Sequence, residues 1–61
     1  MCNNLKMMRT EYNLTQVTVA KEVGVSINTV AKWENNVSTP SDDNMQKLDN
    51  LFTKLKIERG E

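Results

Sequence analysis

Two hydroxyl residues, Thr15 and Ser26, with Gly24 between them, limit the fold of this chain more than any other feature. Threonine and serine are strong helix N-caps, because the side-chain oxygen accepts from a backbone N–H that has no partner inside the helix. Glycine is the residue for which a left-handed, helix-ending backbone costs least. After Thr15, residues Val19, Ala20 and Val23 fall on one face of a helix. After Ser26, residues Val30 and Trp33 do the same, with Ile27 near the start. The full capping box is missing, since Thr18 rather than a glutamate stands three residues after Thr15. Two short helices joined by a tight turn at Val23-Gly24-Val25 are expected before the rest of the chain is considered.

The remainder continues the helical period and almost never alternates, so no strand is expected. Leu5, Met8 and Tyr12 make one stripe on a first helix from about Asn4 to Tyr12, and Asn13 is its natural stop. Leu14 then enters the core. The only proline, Pro40, is the clearest break, with Val37 to Pro40 a loop. Ser41 caps a fourth helix, with Asp42 and Asp43 in the first turn where the macrodipole favours negative charge. Met45, Leu48, Leu51, Phe52 and Leu55 form its apolar stripe. Residues 56–61 are too few for a further packed helix. The expected architecture is all-α: one domain over residues 1–61, a compact bundle of four short helices, its core at about 4–55 and a short tail after it.

Composition narrows the function. A chain of 61 residues buries only about 60% of the surface its unfolded form exposes. Such a core supplies no more than about 3–5 kcal/mol. One cysteine, Cys2, excludes an internal disulfide, and reads as an exposed terminal thiol in a reducing, cytoplasmic setting. The absence of histidine removes the usual zinc sets and the commonest general base. No enzyme activity, metal or cofactor is expected. Asn3, Asn4, Lys6, Arg9 and Glu11 leave no apolar signal-peptide core, and no stretch has membrane-spanning length. Eight Lys and Arg against eight Asp and Glu give zero net charge. A nucleic-acid binder more often shows a basic surplus, so a nucleic-acid reading here rests on pattern.

That pattern is specific. Leu14-Thr15-Gln16 opens the second helix, Ala20-Lys21-Glu22-Val23-Gly24-Val25-Ser26 crosses the turn, Trp33-Glu34-Asn35 closes the third helix, and Pro40 precedes the fourth. In these features residues 5–55 resemble the lambda-repressor-like (Cro/repressor, XRE-type) helix-turn-helix family. The resemblance implies a sequence-specific regulator of bacterial or phage type, a repressor or controller that lays its third helix in the major groove of double-stranded DNA. Base reading would then fall to Ile27, Asn28, Thr29 and Lys32, and phosphate contacts to Thr15, Gln16, Ser26 and Asn35. Asn28 has the donor–acceptor pair that reads adenine, Lys32 can donate to guanine, and Ile27 can meet only thymine methyls. The resemblance further implies a structural ion pair between Arg9 and Glu34.

Set against the family, no fifth helix is expected within these residues, and Asn13 and Asn36 stand where glycine is frequent. Val17 and Val37 stand where polar residues are usual. Without a fifth helix, part of the stripe at Leu51, Phe52 and Leu55 is expected to stay exposed and to pair two copies on a palindromic operator. The alternative is a module of the same fold that binds a protein partner, which zero net charge favours and polar, groove-compatible Asn28, Thr29 and Lys32 oppose.

Overall fold

The structure, a computed structural model, describes residues 5–60. The expectations for Cys2 and for Asn4 as a helix start lie outside these residues. Four helices follow one another: α1 (Leu5–Glu11), α2 (Gln16–Val23), α3 (Ile27–Glu34) and α4 (Asp42–Glu58). No strand occurs among the described residues.

Each of the last three helices starts on an extended residue whose hydroxyl accepts from the backbone three positions on. Thr15 takes the N–H of Thr18, Ser26 that of Thr29, and Ser41 that of Asn44. Each of the first three helices is followed within two residues by one with positive φ: Asn13 at 59°, Gly24 at 87° and Asn36 at 60°. In each case the next residue donates its N–H five positions back, Leu14 to Arg9, Val25 to Ala20 and Val37 to Lys32, at 2.8–2.9 Å. These bonds satisfy carbonyls that the helix ends would leave open. Leu14 and Val25 use the turn to pack on the core, whereas Val37 is left 70% exposed.

The core is Leu5, Val19, Ala20, Val23, Val30, Trp33, Leu48 and Phe52, with Met8, Tyr12, Leu14, Val25 and Leu55 packed around it. Helix α2 packs on both α3 and α4, and α1 packs on α3. Ala20, 3% exposed, lies within this core, and a larger side chain there would overpack it.

Two expectations about α4 need correction. It is not short: its 17 residues run through Glu58, into the stretch expected to be tail. Nothing interrupts the helical run before Gly60, whose φ is 79°. Phe52, expected to share an exposed seam with Leu51 and Leu55, is only 4% exposed. Its ring lies 5.9 Å from that of Tyr12, and the Arg59 guanidinium sits 4.7 Å from the centre of the Tyr12 ring. The ends of α1 and α4 are thereby joined, and Phe52 serves the core. Leu51 and Leu55 are half-buried.

Candidate nucleic-acid interface

After the turn at Gly24, the N-terminal end of α3 is exposed at Ser26, Ile27 and Asn28. Val30 and Trp33 are buried, so the opposite face of α3 carries Asn28 and Lys32, both exposed, and Ile27 at 45% exposure. These three present an amide, an ammonium and an aliphatic group on one short helix. Thr29 is half-buried, and its hydroxyl lies 2.9 Å from that of Ser26, hydrogen-bonded to it. The cap thus engages two of the residues expected to touch DNA, Ser26 and Thr29. Thr15 is engaged in the same way, its hydroxyl 3.0 Å from that of Thr18. Asn35 is exposed directly after α3.

A polar network joins the helix ends. Arg9 of α1 donates from Nε to Oε2 of Glu34 at 2.7 Å and from Nη2 to Oε1 at 3.2 Å. Its Nη1 donates to the Leu14 carbonyl at 3.0 Å, in the turn before α2. Gln16, the first residue of α2, donates from Nε2 to Glu34 Oε1 at 3.1 Å. The Arg9 and Glu34 side chains are 14% and 3% exposed. Burial by itself would raise the Glu34 carboxyl. The hydrogen bonds from Arg9 and Gln16, with the positive charge of Arg9 and of Lys6, outweigh it and hold the carboxyl below its ordinary value. One carboxylate at the end of α3 therefore holds Arg9 of α1 and Gln16 of α2, and Arg9 in turn holds the Leu14 carbonyl in the turn before α2.

The Gln16–Glu34 bond is the feature that sequence reasoning missed. The sequence assigns Gln16 a phosphate contact and no internal partner; the signal for the bond is the pairing of a glutamine at the first helical position of α2 with a glutamate at the last of α3. Val17 and Val37, at 54% and 70% exposure, add apolar groups to the surface. Among the described residues no cluster of His, Cys, Asp or Glu could hold a metal ion, and no helix is long and apolar enough to cross a membrane.

Comparison with known families matches residues 5–54 to the family described as Helix-turn-helix. No curated protein and no solved structure matches the chain.

Proposed function

The chain belongs to this helix-turn-helix family, the lambda-repressor-like or XRE type of DNA-binding regulators, and on that premise we propose that it recognises a specific operator through α3. The observation that carries the reading is the exposed set Ile27, Asn28 and Lys32 on a helix whose opposite face is locked by Val30 and Trp33. An amide at Asn28 suits bidentate contact with adenine, Lys32 suits guanine O6 and N7, and Ile27 suits thymine methyls. Gln16, Asn35 and the start of α2 position the domain on phosphates. Thr15, Ser26 and Thr29 contribute while keeping their caps. Repression follows from occupying a promoter, with no catalytic step, in the cytoplasm of a bacterial or phage-infected cell.

One domain covers one half-site, so a palindromic operator is bound by two copies. In this reading Leu51 and Leu55 of α4 join them, and their being half-buried supports it. A mobility-shift titration with random duplex over a salt series tests the DNA reading. Affinity that falls steeply with salt supports it. Salt-independent, negligible affinity points to the protein-partner alternative. Light scattering of the free protein and of Leu55→Glu tests the pairing.

A further inference from the structure

We infer that Glu34 is a positioning residue for DNA, setting the direction of the Gln16 amide before any nucleic acid arrives. The inference rests on reading Gln16 as a phosphate contact. A glutamine amide is planar, with two N–H donors and one carbonyl acceptor. Glu34 Oε1 takes one N–H of Gln16 Nε2 at 3.1 Å. With that hydrogen engaged, the rotations of the amide are restricted and its second N–H is confined to a narrower range of directions. The second N–H is the one left for a phosphate oxygen.

The same bond places an anion close to where a second anion must bind, which would repel it. Arg9 answers this by taking both carboxylate oxygens, at 2.7 and 3.2 Å, so that the charge is neutralised locally. Lys6 adds to the positive field at the carboxylate. Glu34 thus acts on DNA through Gln16 and does not itself touch the phosphate. Its benefit is preorganisation, because a held glutamine loses less rotamer freedom on binding than a free one.

The test compares two variants that both remove the ion pair and differ only in the acceptor at position 34. Arg9→Met/Glu34→Gln keeps a carbonyl oxygen for the Gln16 N–H, and Arg9→Met/Glu34→Leu has none. With random duplex DNA, the Leu variant is expected to bind roughly two- to tenfold more weakly than the Gln variant. That gap is expected to vanish when Gln16→Ala is added to both. Equal affinity of the two variants overturns the inference, as does a gap that persists with Gln16→Ala. A Gln16→Ala single variant that binds like wild type overturns it as well. Wild-type protein with no salt-dependent affinity for duplex overturns the DNA reading itself, a separate result. Should a variant not fold, side-chain amide NMR of the wild type supplies the readout. On adding duplex, the Gln16 proton bonded to Glu34 keeps its position while its partner proton moves. A shift of the bonded proton to the free-amide position overturns the inference.

Discussion

Arg9 and Glu34 stand 25 positions apart in the chain and are joined side by side, Nε to Oε2 at 2.7 Å and Nη2 to Oε1 at 3.2 Å. A planar guanidinium meets a planar carboxylate through two parallel bonds, the geometry in which an ion pair is strongest. With the Glu34 side chain 3% exposed, neither partner can be removed alone without leaving a charge out of water.

Arg9→Met is expected to destabilise the fold by about 1–3 kcal/mol, since removing one side of a part-buried pair leaves the other charge poorly satisfied. Arg9→Met/Glu34→Leu is expected to recover most of that loss, because apolar residues of similar volume replace the pair. Urea denaturation followed by helical circular dichroism measures both. A single variant as stable as wild type would show that the pair is held in water, not in the fold.

The pair also sets an acid limit. The Glu34 carboxyl is held below its ordinary value of 4.5, so the folded state binds that proton less readily than the unfolded one. Its stabilising contribution is fully present above the unfolded value and is lost as the pH falls through the lowered folded one. Between neutral pH and about pH 3, the urea midpoint of the wild type is expected to fall further than that of Arg9→Met/Glu34→Leu. Parallel pH profiles would contradict the assignment.

Asn36, in the turn that follows α3, has φ 60°, a backbone region that costs most L-residues about 1–2 kcal/mol and that asparagine tolerates. Asn36→Ala is expected to lose about 1 kcal/mol or more, and Asn36→Gly to match the wild type or exceed it. The same ordering is expected at Asn13, with φ 59°. Thermal denaturation of the Ala and Gly variants checks it; an Ala variant equal to Gly would mean that the turn relaxes.

Leu48 is fully buried on α4, whereas Ile57 on the same helix is 70% exposed. Leu48→Ala is expected to cost about 2–5 kcal/mol, comparable with the whole stability of so small a core. Ile57→Ala is expected to stay within about 0.5 kcal/mol of wild type. Circular dichroism at room temperature is sufficient: the first variant loses most helicity and the second keeps it.

Much of this fold was legible from residues that act locally. Thr15, Ser26 and Ser41 cap because of their own hydroxyls, and Gly24 turns because it lacks a Cβ; none needs a distant partner to be recognised. Asn13 and Asn36 were readable for the same reason. What stayed hidden depends on three-dimensional packing. Phe52 lies on the same helical stripe as Leu51 and Leu55, and only the position of the Tyr12 ring places it inside. The continuation of α4 to Glu58 was hidden because residues 56–58 bury no side chain, so hydrophobic periodicity is silent there. The Gln16–Glu34 bond requires the crossing of α2 and α3 to be known, and a glutamine on its own reads as surface.

The central claim is that α3 reads base edges, and the most direct measurement is selection of bound sequences from a random duplex pool by the wild type, Asn28→Ala and Lys32→Ala. Asn28 and Lys32 are exposed, so both variants are expected to keep the wild-type fold. The wild type is expected to enrich a palindromic site. Each variant is expected to lose preference at its own base positions, by about 1–3 kcal/mol per contact, while keeping it elsewhere in the site. Enrichment of the same site with the same preferences by all three proteins would contradict the claim.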